Sequence, residues 1–128
     1  MLQITNTGEL GNELTATAVA IGKFDGLHLG HQQLIHELVE YSQEAGLVPA
    51  VITFDRHPKA LLDPANCPRP ILGPVQKANL MADSGVEILL TLPFTHELSS
   101  LSPREFIEQV IAPLSAQMIF VGQGFRFG

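Results

Sequence analysis

At 128 residues, with 45% hydrophobic and 16% charged side chains, the chain has the composition of one globular domain with a real core, neither disordered nor fibrous. Acidic residues outnumber basic ones 13 to 7, a net charge of −6, which argues against a nucleic-acid surface but not against local capture of a small anion. The lone Cys67 excludes a disulfide framework and a thiolate zinc cluster, and no apolar run has signal-peptide or membrane-spanning character, so a cytoplasmic protein is expected.

Residues 1–17 carry only weak apolar punctuation and read as an entry segment with a short edge strand near residues 2–5. The first firm strand is Thr17–Ile21. Ten residues follow, Gly-Lys-Phe-Asp-Gly-Leu-His-Leu-Gly-His from Gly22 to His31, and then an amphipathic helix over Leu29–Ala45. In that helix Leu34, Ile35, Leu38, Val39, Ser42 and Ala45 recur at three-four spacing and define a buried stripe. Gln32, Gln33, Glu37, Glu40 and Gln43 fall on the other side, and Gly46 is placed to cap the C-terminus. His36 lies off the stripe and is read as solvent-exposed.

Val48–Phe54 is a short apolar run suited to a strand covered on both faces, which completes a right-handed βαβ unit. Asp55-Arg56-His57-Pro58-Lys59 leads into a loop whose Pro64, Pro68, Pro70 and Pro74 exclude regular structure over about 63–73. Long loops at strand ends commonly serve ligands. A second helix fits 74–84, with Pro74 in its first turn and Gly85 past its end, and a third strand fits 86–92. Ser102-Pro103-Arg104-Glu105 is a capping box opening a third helix, whose buried stripe is Phe106, Ile107, Val110 and Ile111 and which Pro113 ends. Residues 118–121 form a fourth strand, and 122–128 the loop that leaves it.

Strands alternating with helices predict a doubly wound parallel α/β sheet. Ligands in such sheets sit beyond the carboxyl ends of the strands, where the strand order switches. With the order 3-2-1-4 for these four strands, the crevice lies between the first and the fourth. The glycine-rich segments 22–30 and 122–128 then face each other. Five of the seven cations (Lys23, Arg56, Lys59, Arg104 and Arg126) also fall near strand ends or helix starts.

Strand, glycine-punctuated turn and helix together aim a helix N-terminus at an anion. The segment has neither the G-x-G-x-x-G spacing of a dinucleotide fingerprint nor a Walker lysine. What it carries is His-x-Gly-His, His28 and His31 at the helix start. Two imidazoles so spaced, backed by N–H groups and a helix dipole, can clamp a phosphate, with Gly30 allowing close backbone approach. The dipole contributes about 0.3–1 kcal/mol, and charge-assisted hydrogen bonds from protonated imidazole add more as charge builds on a transferring phosphoryl group. Nothing in the segment resembles a nucleophile, so a reaction here is direct displacement. A His–His–Asp25 metal pair and simple helix caps are the alternatives. The first would favour i, i+4 spacing. The second leaves Gly26 and Gly30 unexplained.

Gly22-x-Phe24-Asp25-Gly26-x-His28-x-Gly30-His31 resembles the His-x-Gly-His motif of nucleotidyltransferases in the form used by the FAD synthetase family, bacterial bifunctional riboflavin kinases and FMN adenylyltransferases. Three further stretches resemble that family in the same order. They are Thr53-Phe54-Asp55-Arg56-His57-Pro58, then Leu92-Pro93-Phe94-Thr95-x-Glu97-Leu98 with Ser102-x-x-Glu105-Phe106, and last Val121-Gly122-x-x-Phe125-Arg126-Phe127-Gly128. The likeness runs from about Ala18 to the last residue.

The resemblance implies a Rossmann-like nucleotidyltransferase fold and an FMN adenylyltransferase domain over residues 1–128. ATP and FMN, with Mg²⁺ and no protein-held metal, would give FAD and pyrophosphate. His28 and His31 would be catalytic. Gly22, Lys23, Phe24, Asp25, Gly26 and Gly30 would form the nucleotide site, and Phe54, His57, Pro58, Gly122, Phe125 and Arg126 would lie near the flavin. Phe54 and Phe125 fit core packing equally well, His57-Pro58 fits a simple turn, and Phe127 is read as core.

Two departures stand out. Gly124 occupies the place, just before the phenylalanine of Phe-x-Phe-Gly, where the family usually has Asn or Asp. The family also continues past the position of Gly128 with a Ser/Thr-rich, arginine-ended phosphate grip and a β-barrel riboflavin kinase domain. The expectation is therefore an incomplete adenylyltransferase domain without kinase activity, using small-molecule substrates, with neither nucleic-acid nor membrane partners and an oligomeric state the sequence leaves open. A non-catalytic ATP- or flavin-binding module and a nucleotidyltransferase of another class, cytidylyltransferase-like or pantetheine-phosphate-like, are the competing readings.

Overall fold

The computed structural model describes residues 1–6, 8, 16–22, 24, 29–55, 65, 74–93 and 95–121, with the side chains of residues 29–31 and 74 outside that description. Its elements are β1 (Leu2–Ile4), β2 (Thr17–Ile21), α1 (Leu29–Ala45), β3 (Val48–Phe54), α2 (Pro74–Asp83), β4 (Ile88–Leu92), α3 (His96–Ser99), α4 (Pro103–Phe106) and β5 (Ala116–Val121). All strand pairs are parallel, in the order β1-β4-β3-β2-β5. The expected 3-2-1-4 arrangement of the four main strands is thus present, and β1 adds the edge strand beyond β4.

The direction of travel across the sheet explains the two layers. From β2 to β3 to β4 the chain moves one way, and right-handed crossovers put α1 and α2 on one face. From β4 it returns past β2 to β5, so the intervening helical segment lies on the other face. Alternate strand residues divide accordingly. Ala18, Ala20, Val51 and Leu89 join Ile35 and Leu38 of α1 and Ala78 and Met81 of α2 in one buried cluster. Val19, Ile21, Ile52, Phe54, Leu90 and Leu92 join Phe106, Val110, Ile111 and Leu114 in the other. The small Ala18 and Ala20 give α1 room against the sheet.

Helix ends follow from glycine. Gly46 takes φ +69°, and the Leu47 N–H donates to the Ser42 carbonyl at 2.8 Å, closing α1. Gly85, at φ +100°, ends α2 in a full Schellman motif: the Gly85 N–H donates to Ala82 and the Val86 N–H to Met81, at 3.1 and 3.2 Å. Val86, read from sequence as a strand residue, is therefore the apolar half of that cap and packs in the same cluster as Met81.

Three expectations are corrected. Ala45 is exposed, whereas Tyr41 is half-buried with its ring edge-on to Phe120 at 5.8 Å between centroids. The third helix is not continuous. Its regular part stops at Phe106, Ile107–Ile111 widens into a π-type turn with the Ala112 N–H donating to the Ile107 carbonyl, and Ala112–Leu114 tightens into a 3₁₀ turn. Pro113 explains the change: it lacks an N–H, and its ring would crowd the carbonyl four residues back in a regular helix. The rewinding leaves Ile107 44% exposed and buries Leu114 instead.

Candidate functional site

The carboxyl ends of β2 and β5 are adjacent, with Ile21 opposite Val121. Gly22 follows directly on the end of β2, at the point where the strand order switches. Here β2 connects through α1 to one side of the sheet while β5 lies on the other. Backbone hydrogen bonds hold this rim in place. The Gly22 N–H donates to the Ile52 carbonyl at 3.1 Å, and the Asp55 N–H donates to the Leu92 carbonyl at 2.9 Å. Each strand end is thereby tied to its neighbour one residue past the strand.

Of the residues proposed from sequence for the nucleotide, Gly22 and Phe24 are described in full. Phe24 is 1% exposed, with φ +50°, and shares the α1-side cluster with Ala18, Ala20, Ile35 and Leu38. A left-handed backbone costs a non-glycine residue about 1–2 kcal/mol, which burial of an aromatic ring offsets. A Cβ on Gly22 would lie 3.0 Å from Cζ and 3.1 Å from Cε2 of that ring. Glycine at 22 is thus required by space: the Phe24 ring folds back over it. Gly30 and His31 lie in the first turn of α1, where the helix N-terminus faces the rim. Lys23, Asp25, Gly26 and His28 lie outside the described residues.

For the flavin set, Phe54 ends β3 as a buried member of the cluster opposite α1. His57, Pro58, Gly122, Phe125 and Arg126 lie outside the described residues. Thr53, 1% exposed beside Phe54, is a buried hydroxyl at the same rim that no site role was read for. Its signal was available, as a single polar residue inside an apolar run.

The connection from β4 to β5 is built from caps. Thr95 Oγ1 accepts the Leu98 N–H at 3.1 Å and starts α3. The expected capping box is formed, the Glu105 N–H donating to Ser102 Oγ and the Ser102 N–H to Glu105 Oε1, each at 3.1 Å. The hydrogen bond from the Ser102 backbone, then the one with its side chain, holds the Glu105 carboxyl below its ordinary range. Exposed Arg104 pairs with Glu108 at 3.0 Å, and exposed His36 lies 3.3 Å from Glu40 on the outer face of α1. Among the described residues no group of three or more His, Cys, Asp or Glu could hold a metal ion, and no helix is long and apolar enough to cross a membrane.

The model of the family described as FAD synthetase matches residues 11–128, spanning the β2–α1 signature and both strands at the switch. The chain belongs to the FAD synthetase family. It is similar to the bifunctional riboflavin kinase/FMN adenylyltransferase of Bacillus subtilis, 37% identical over 99% of this chain and 41% of that protein. A protein of Listeria monocytogenes named FAD synthetase is 33% identical over 88% of this chain and 46% of its own length. The chain therefore spans less than half the length of these relatives. Among solved structures, a Streptococcus pneumoniae chain named macrolide-efflux protein superposes with a TM-score of 0.84 at 30% identity. The match covers 99% of this chain and 43% of that one, and it agrees with the all-parallel α/β architecture.

Proposed function

We propose that this chain is the adenylyl-transferring part of an FAD synthetase, with residues 1–128 serving as an FMN adenylyltransferase domain. A phosphate oxygen of FMN attacks the α-phosphorus of ATP. The bond from that phosphorus to the bridging oxygen of the β-phosphate breaks, and pyrophosphate leaves with the electron pair, giving FAD. Mg²⁺ arrives with the nucleotide, since it commonly keeps its waters and binds through substrate phosphates. His28 and His31 donate hydrogen bonds to the transferring phosphoryl group, strongest as its charge develops. Gly22, Lys23, Phe24, Asp25, Gly26 and Gly30 shape the nucleotide side of the crevice. Phe54, His57, Pro58, Gly122, Phe125 and Arg126 shape the flavin side. Such chemistry on soluble nucleotides belongs in the cytoplasm and needs neither nucleic acid nor membrane.

One observation carries this reading. β2 ends at the switch beside β5, and α1 begins at Leu29 with His31 in its first turn, so the sequence that joins them puts His-x-Gly-His in the connection where an anionic nucleotide is expected. The test is to incubate the purified chain with FMN, ATP and Mg²⁺ and to follow FAD by chromatography. FAD and pyrophosphate in equal amounts are expected, with His28→Ala and His31→Ala each lowering the rate by on the order of 10²-fold or more. Near-normal rates in both variants would remove the assigned roles. Flavin binding without turnover would favour a non-catalytic module.

A further inference from the structure

Phe24 is an aromatic residue inside a signature otherwise rich in glycine and histidine. It is almost wholly buried, it adopts a positive φ, and its ring is seated between the sheet and α1. Among the described residues only Ser115 shares such a backbone without being glycine, and Ser115 is exposed. Gly22 is complementary to it. Its own φ is not positive, so no backbone demand selects glycine there. A side chain at 22 would instead meet the Phe24 ring at 3.0–3.4 Å. The Gly22 N–H also ties this segment to β3, donating to the Ile52 carbonyl.

We propose that Phe24 is a positioning residue for nucleotide capture. Its ring locks the exit of β2 to the body of α1, and Gly22 is the space that lock needs. Phe24, with its left-handed backbone, and the start of α1 at Leu29 are the described points on either side of residues 25–28, so fixing Phe24 fixes one end of the segment that the nucleotide reading invokes. This rests on reading segment 22–31 as the ATP site. It adds that ATP affinity depends on a packing contact that does not touch ATP.

The test uses the full chain as wild type, Phe24→Leu, Phe24→Met, Gly22→Ala and the double variant Gly22→Ala/Phe24→Leu. Mg·ATP affinity is measured by calorimetry, KM and kcat by FAD formation, and folding by denaturant titration. In folded Phe24→Leu the Kd and KM for ATP should rise on the order of 10-fold while the KM for FMN stays within about twofold. Gly22→Ala should do the same. The double variant should be no worse than Phe24→Leu, because leucine lacks the Cε and Cζ atoms that the new Cβ meets. If Phe24→Leu does not fold, Phe24→Met carries the comparison with a flexible, similar-sized side chain. Wild-type ATP affinity in the folded Phe24 variant, or independent multiplication of the two single effects, overturns the proposal. Wild type that binds ATP but forms no FAD defeats the adenylyl-transfer reading alone and leaves the ATP comparison to decide this one. Wild type that does not bind ATP overturns both.

Discussion

The β2–α1–β3 half of the molecule and the α4–β5 half are each a helix joined to a parallel strand, yet they are made differently. In the first, α1 runs unbroken from Leu29 to Ala45, ends at a glycine with φ +69°, and covers a strand buried at every position. In the second, the helix changes from α to π to 3₁₀ winding within twelve residues of chain, Pro103 to Leu114, and ends at Ser115 with φ +53°. The strand it feeds, β5, has Met118, Ile119 and Val121 exposed. The two strands differ less in composition than in place, since β2 has neighbours on both sides and β5 on one. A central strand with a cleanly capped helix gives a stiff base for the signature. The outer half adds the edge strand on the far side of the switch point.

That contrast can be broken first at the cores. Leu38→Ala, at a fully buried position of α1, should cost about 2–5 kcal/mol in denaturant unfolding, while Ile119→Ala on β5 should cost under about 1 kcal/mol. Equal losses would mean that β5 is held as firmly as β2. The helix ends give a smaller and more selective comparison. Gly46→Ala meets nothing within 4 Å, so its cost is backbone strain alone, about 1 kcal/mol. Ser115→Gly should be neutral or slightly stabilising, because it relieves the same strain. Opposite signs would sharpen the view that one end is glycine-adapted and the other tolerates strain.

The smallest effect lies in the capping box. The folded Glu105 carboxyl is held below its ordinary value of 4.5, so its contribution is fully present above that pH and is lost as the pH falls through the folded value. Glu105→Gln should slightly lower stability near neutrality, where the carboxylate's contribution is fully present, and flatten the stability-against-pH curve below about pH 4.5, so that variant and wild type converge in acid. An unaltered acid limb would show the box to be frayed in solution.

Local patterns in the chain sufficed for much of this. The bounds of β2, α1 and β3, the edge strand β1, the glycine stops at 46 and 85 and the Ser102–Glu105 box all follow from nearest-neighbour chemistry: period, cap and turn. The fold class and the family were legible for the same reason. What misled was also local. Ile107 fits a regular helical stripe only if Pro113 leaves the winding intact, and Val86 reads as strand until its cap with Met81 is seen. The α3 turn, four residues held by Thr95, is too short to show a period.

The roles of Gly22 and Phe24 lay beyond that reach. From sequence both belonged to a motif, and nothing distinguished a glycine near a phosphate from a glycine under a ring. The tertiary structure separates them, because Phe24, at φ +50°, is buried in a cluster that α1 forms with Ala18 and Ala20. Covalent order and side-chain type dictated which elements form and where they stop. Their meeting in space, Ile21 beside Val121 and Phe24 beneath α1, came from burial shared between segments up to a hundred residues apart, which no short stretch encodes.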